Sequence, residues 1–288
     1  LGKFTDGTQI SLILNANNTN NRGFNDMSAS MMGGMRGGGG GMGGRQGGWG
    51  QSNGITTSYM GGLNGAWTLF DGDMDLSGNY LYNGTEKSVL ENSSKTTHLS
   101  DHELIYNNDG ASQTNSYGHR LGMRLDHKFS ENTSLLFQPS LNFGTGNFSD
   151  ASDFNTYSDY GSKSVKTNDG FNRNIGDNRN WSTSGFALLR QRLGIPGRTL
   201  TVMSRYSFSN NDLHGFNQSR TTTYGETGEA ADSLINQRFD QNAKNSSVMG
   251  RFTYTEPVGS NFYVEANYEY SWNNSKSYKD TYDSGMNR

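Results

Sequence analysis

Ten ionisable side chains recur at a single parity within alternating segments of the chain. They are Arg120, Arg124, Asp126 and Lys128, then Arg190 and Arg192, Arg205, Arg251, and finally Glu265 with Glu269. On an extended backbone, residues two or four apart project from the same face. The chemistry open to such a set is recognition: guanidinium, ammonium and carboxylate groups hydrate a wall, brace a neighbouring domain or contact a polar solute. Catalysis is not indicated, because Ser-His-Asp combinations can be drawn from this composition at will and carry no weight. The expected protein is therefore not an enzyme, and no cofactor or metal is assigned to it.

Other groups have weaker claims. The segment 31–50 (MMGGMRGGGGGMGGRQGGWG) contains Met31, Met32, Met35 and Met42. Thioethers suit copper(I) or heme-like cargo, whereas so much Gly suits a flexible surface loop. The loop lacks the Gly-Lys-Ser/Thr ending of a phosphate-binding loop. His98 and His102 are four apart without an HExxH frame, so a polar loop competes with a metal site. Asp150, Asp153, Asp159, Asp169, Asp177, Asp280 and Asp283 lie among Asn, Tyr and Gly in 147–178 and 272–285, and offer either calcium ligands or solvated loops. Trp49, Phe154, Tyr157 and Tyr160 suit sugar stacking and ordinary loop packing equally well.

The elements that position these groups are strands. Around Leu121, residues His119, Leu121, Met123, Leu125, His127 and Phe129 share one face, opposite Arg120, Gly122, Arg124, Asp126 and Lys128. Leu135, Phe137, Pro139, Leu141 and Phe143 repeat the pattern after a turn at Ser130-Glu131-Asn132-Thr133. Similar two-faced runs cover 55–69, 74–82, 200–208, 248–254 and 262–272. The runs 10–16 and 181–193 are less regular, with Ile13, Phe186 and Leu188 on the polar side. Pro139 removes a ladder donor and predicts a local irregularity. Lys3-Phe4, before a Thr5-Asp6-Gly7-Thr8 turn, predicts a tenth strand beside the other nine. Tight turns at 70–73, 130–133, 194–197 and 256–259 are expected on one rim, with long polar loops on the other. That asymmetry, together with apolar-aromatic outer faces, is the pattern of an antiparallel transmembrane β-barrel. A soluble β-sandwich is the competing architecture.

Composition fits this pattern. The chain has 288 residues, 31% hydrophobic content, 39 Gly, 3 Pro and no Cys. So little apolar content implies disorder unless half of each strand is allowed to be polar, and 15 Tyr, 15 Phe and 4 Trp at period two argue against disorder. No run of about 18 apolar residues forms a spanning helix. With a net charge of -3 and mixed signs, nothing points to a nucleic-acid surface.

The segment 5–20 (TDGTQISLILNANNTN), Gly23-Phe24 and the Gly/Met-rich stretch after it resemble the outer-membrane barrel domain of TonB-dependent receptor-like proteins. Trp67, Phe70-Asp71-Gly72 and Leu76-Ser77-Gly78-Asn79-Tyr80 add to the likeness. The resemblance implies a 22-stranded barrel in a Gram-negative outer membrane, closed by an N-terminal plug and energised by the inner-membrane TonB complex. Residues 1–288 would form one partial barrel domain of about nine or ten strands, with a flexible outer loop at 27–53. Because the chain opens at Leu1 and lacks a plug, it is read as an internal piece of a longer protein. Its function would be uptake of a nutrient ligand; a non-transporting barrel acting as an adhesin or assembly scaffold is the alternative. Expected partners are outer-membrane lipids, TonB through the plug region, a surface lipoprotein and a small ligand. Among the ten wall residues, Arg120, Arg124, Asp126, Lys128, Arg205, Arg251, Glu265 and Glu269 are the lumen-facing candidates.

Overall fold

The computed structural model describes residues 2–5, 7–18, 54–225, 229–259 and 262–283. The Gly/Met-rich loop, with Met31, Met32, Met35, Met42 and Trp49, lies outside them. Ten strands follow in chain order: β1 (Gly2–Thr5), β2 (Thr8–Asn17), β3 (Ile55–Leu69), β4 (Met74–His98), β5 (Glu103–Ser130), β6 (Thr133–Asp159), β7 (Ser164–Arg192), β8 (Thr199–Tyr224), β9 (Ala230–Pro257) and β10 (Tyr263–Asp283). Each pairs antiparallel with its sequence neighbours to form one sheet in the order β1 to β10. The sheet is open, with β1 and β10 as its edges. No helix among the described residues is long and apolar enough to cross a membrane.

Alternation places the predicted faces in register across the whole sheet. Leu12, Leu63, Tyr80, Leu121, Leu141, Thr183 and Phe208 occupy one hydrogen-bonded row. Every other residue read as outward-facing within a strand falls on this same apolar face. Among the described residues no second layer covers it: Leu121 is 40% exposed, Phe252 51% and Tyr268 66%. Leu125, Phe137 and Val202 are half-buried by their neighbours within the sheet. Leu136, on the opposite face, is the one buried hydrophobic residue among those described.

The far ends of the strands differ from expectation. Within the described residues the long polar loops are instead strand, and β4 to β9 run 25 to 29 residues each. The segment 147–178 is the far part of the β6–β7 hairpin, and 272–283 continues β10. Tight connections therefore occur at both ends, closed by Leu99 N to His102 O at 2.9 Å and Tyr160 N to Lys163 O at 3.0 Å on the far rim. Both faces here are polar, so no apolar alternation marks these residues as strand. Thr, Tyr and Asn still satisfy the ladder when neighbours pair on both sides.

Local irregularities have local causes. The β5–β6 ladder omits the pairs opposite Gln138 and Pro139 while the register stays constant from Gly122–Ser140 to Leu125–Phe137. The missing Pro N–H accounts for the gap. A one-residue shift occurs instead at Lys128/Ser130. The β3–β4 turn holds Phe70 and Asp71 at φ 52° each, followed by Gly72 at φ 97°. Positive φ is a strained position for a Phe.

Candidate functional site

The polar face contains all ten predicted wall residues, but it does not gather them into one cluster. Lys128 and Arg190 both flank Ser134 in one row. Asp126 follows beside Asp75, then Arg124, then Arg120 nearest the sheet centre. Arg124 reaches Asp126 at 3.4 Å, and Asp75 accepts from Thr68 Oγ1 at 2.8 Å. On the other flank, Arg251 Nε donates to Glu269 Oε2 at 2.8 Å, and Asn267 Nδ2 donates to Glu265 Oε1 at 2.8 Å. Arg205 lies over the Phe186 ring at 5.4 Å. Arg192 contacts the Glu131 carbonyl at 3.4 Å. The set thus forms a charged belt near the short-turn rim, with two small ion-paired groups at its ends.

Between those groups is an apolar island that the ionisable pattern did not reveal. Leu136, Leu188 and Met203 occupy one row, ending at Arg251 and Glu269. The signal was available, since Leu136 follows Leu135 and must take the opposite face. At the rim itself, Arg198 grips Glu256 at 2.7 and 2.5 Å, and the Tyr254 hydroxyl donates to the same carboxylate. The Arg198 guanidinium and this hydroxyl hold the Glu256 carboxyl down at about 2.

In the two rows next beyond the belt, charge is nearly absent. Ser11, Asn64, Asn79, Gly122, Ser140, Ser184, Ser207, Ser247 and Asn273 form one row from β2 to β10. The next row contains Asn142, Ser182, Ser209, Asn245 and Ser275, with Arg120 the one charged residue in it among those described. Ser140 and Ser184 hydroxyls lie 2.8 Å apart, and Asn142 Nδ2 donates to Ser182 at 3.2 Å.

The apolar face has an oblique layout. The row starting at Ile10, the lowest apolar residue of β2, passes through Gly65, Gly78, Met123, Gly185, Tyr206 and Val248 and ends at Trp272, the highest of the regular apolar run of β10. The run on β10 begins at Val264, eight residues earlier in that strand. The apolar band therefore slides by about one residue per strand, a slope of roughly 35° for strands ~4.8 Å apart rising ~3.3 Å per residue. Rings mark both margins. His119 stacks on Phe143 at 4.7 Å and accompanies Tyr80 and Tyr82 above, while His127 meets Phe129 at 4.4 Å and Phe70 at 6.2 Å below.

The loop candidates disperse into strands and turns. His98 pairs with Glu103 at 2.7 Å, and His102 with Asp101 at 2.8 Å. Asp153 takes both contacts from Arg173 at 2.8 and 2.9 Å, Asp150 accepts from Ser112 at 2.5 Å, and Asp159 accepts from the Gly161 N–H at 2.9 Å. No three His, Asp or Glu among the described residues converge on a cation position. Phe154 stacks on Tyr106 at 6.1 Å on the polar face, while Tyr157 takes the opposite face and Tyr160 lies against His102 at 4.8 Å. These rings pack locally and do not build one platform.

No protein-family model, curated protein or solved structure matches this chain.

Proposed function

We propose that these strands are a section of an outer-membrane β-barrel of the TonB-dependent receptor type, whose wall takes part in uptake of a nutrient ligand. The observation that carries the reading is the oblique, uncovered apolar band with rings along both margins. Strands tilt about 35–45° in a membrane barrel, so the bilayer plane crosses them obliquely and an apolar belt must slide along successive strands. From His119 to His127 the band covers about 27 Å of strand, or roughly 22 Å along the bilayer normal at that tilt, close to the ~25 Å belt of such barrels. The opposite, polar face then lines the interior. In lipid neither β1 nor β10 can keep an unpaired edge, so the reading requires further strands, 22 in the full ring that the family likeness implies. The likeness at 5–20 and 67–80 supports the receptor assignment and, through a plug, coupling to TonB.

One observation favours the alternative, a non-transporting surface adhesin or scaffold. The strands continue about 16 residues past His119 toward Glu103, roughly 50 Å, with both faces polar. Such an extension offers a large binding platform without any need for passage.

The absence of Cys makes the membrane test direct. Single cysteines at Leu125, Phe137 and Val202 of the full-length parent in proteoliposomes are expected to resist a water-soluble maleimide, whereas cysteines at Ser140 and Ser184 react. Full labelling of the first group refutes the membrane assignment. Energised uptake of solute by the same vesicles then separates a transporter from a scaffold.

A further inference from the structure

We propose that the polar face binds a neutral, hydroxyl-rich solute of oligosaccharide size, centred on a concavity at Gly122; this rests on the barrel reading and names the solute class for that wall. The concavity measures about 510 Å³, within the roughly 300–1,000 Å³ of small-ligand sites. Gly122 alone in the row from Ser11 to Asn273 places no side chain on this face, and glycine within a strand permits close approach of a ligand. A Cβ at Gly122 would lie 2.4 Å from Asn79 Oδ1, so the Asn79 amide already occupies the space that a side chain would need.

The polar lining on this face is chiefly carboxamide and hydroxyl: Gln9, Ser11, Asn64, Asn79, Gln138 and Ser140. Each such group both donates and accepts, as a sugar hydroxyl does. Arg124, at the lower lip, is the one charged side chain lining it among the described residues, and its charge is opposed by Asp126 at 3.4 Å. An anionic or cationic solute would lose hydration here without a fixed counter-charge, which is costly. A neutral polyol would exchange water for equivalent partners.

The lining does not end at the concavity. From Ser140 the row continues through Ser184, Ser207 and Ser247, one hydroxyl per strand. Their spacing of about 4.8 Å is close to the repeat of one sugar unit, so successive units can meet successive strands. The charged belt nearer the rim lacks this neutrality.

The test uses the full-length parent, purified in detergent and checked for folding by heat-dependent gel mobility. Binding is measured by titration calorimetry against neutral α- and β-linked hexaoses of glucose and mannose, and against the corresponding sulfated hexaoses. At least one neutral hexaose is expected to bind, with its sulfated form at least tenfold weaker. Asn79→Ala with Gln138→Ala should weaken neutral binding at least tenfold, whereas Arg251→Gln, in the charged belt, should leave it within twofold. Tighter binding of sulfated hexaoses, or no binding by any neutral one to folded wild-type protein, overturns the proposal. Maleimide protection of Leu125→Cys without neutral binding refutes this inference and leaves the barrel standing; loss of protection refutes the barrel first.

Discussion

Leu121 and Asp109 belong to the same strand and point to the same side of the sheet, yet they are held by different physics. Around Leu121 the ladder presents aliphatic and aromatic groups that nothing in the described structure covers. Around Asp109 it presents side chains that satisfy one another: Asn92 donates to Asp109, Ser94 to Asn107 at 2.7 Å, and Asn107 to Asn155 at 3.0 Å. One backbone pattern thus spans two environments. In the band, stability depends on the medium that meets the apolar face. In the far part it comes from backbone pairing and cross-strand polar contacts, each small and exposed. The difference teaches that strand length and the extent of the apolar band are separate properties of this sheet.

The sharpest way to break the comparison is one charge placed in each part. Leu125→Arg, in the middle of the band, should cost about 2–4 kcal/mol in lipid, whereas Ala111→Arg on the same face should stay within about 0.5 kcal/mol. Denaturant unfolding from vesicles measures both, and equal costs would dissolve the distinction. Next come the glycines. A side chain at Gly215 would meet Phe239 at 2.4 Å and the Ile175 carbonyl at 2.7 Å, while at Gly250 nothing lies within 4 Å. Gly215→Ala should therefore cost about 1–3 kcal/mol and Gly250→Ala close to nothing in the same assay.

Smaller effects sharpen the account of the far part. Arg173→Ala removes an exposed bidentate pair with Asp153 and should cost no more than about 1 kcal/mol, less at high salt. The smallest change is with pH. His214, with Arg238 beside it, holds the Asp240 carboxyl below the usual carboxylate range; Thr222 and Arg220 do the same for Asp232. A lowered carboxyl contributes stability above its ordinary value that is lost as pH falls through the lowered one. Lys166, raised by its contact with Asp169, acts in the opposite sense: its contribution holds below its usual value and is lost as pH rises past the raised one. Hydrogen exchange should accordingly quicken in 212–240 below about pH 4 while amides near Leu125 keep their protection. Exchange that is fast at every pH would make 212–240 the loop that its composition suggested.

Much of the band was legible in residue order. Period-two alternation assigned Leu121, Phe137, Val202 and Tyr268 to one face and all ten wall charges to the other, and Pro139 marked the interrupted ladder. The far strands were not legible, because Asn, Ser, Thr and Gly on both faces leave no alternation to read. The neutral row through Gly122, Ser140, Ser184 and Ser207 was equally hidden. Each strand contributes a single unremarkable polar residue, and only pairing aligns them.

What residue order alone settles here is which way each side chain points, since that follows from a two-residue backbone period and needs no partner. How far one strand is offset from the next is a different matter. It depends on ladder pairing between residues tens of positions apart, such as Leu121 with Leu141 and Thr114 with Phe148 in one hairpin. That offset turns separate apolar runs into an oblique band, and separate serines into a continuous polar row. A chain can encode the groups locally, but their alignment exists only once the ladder has formed.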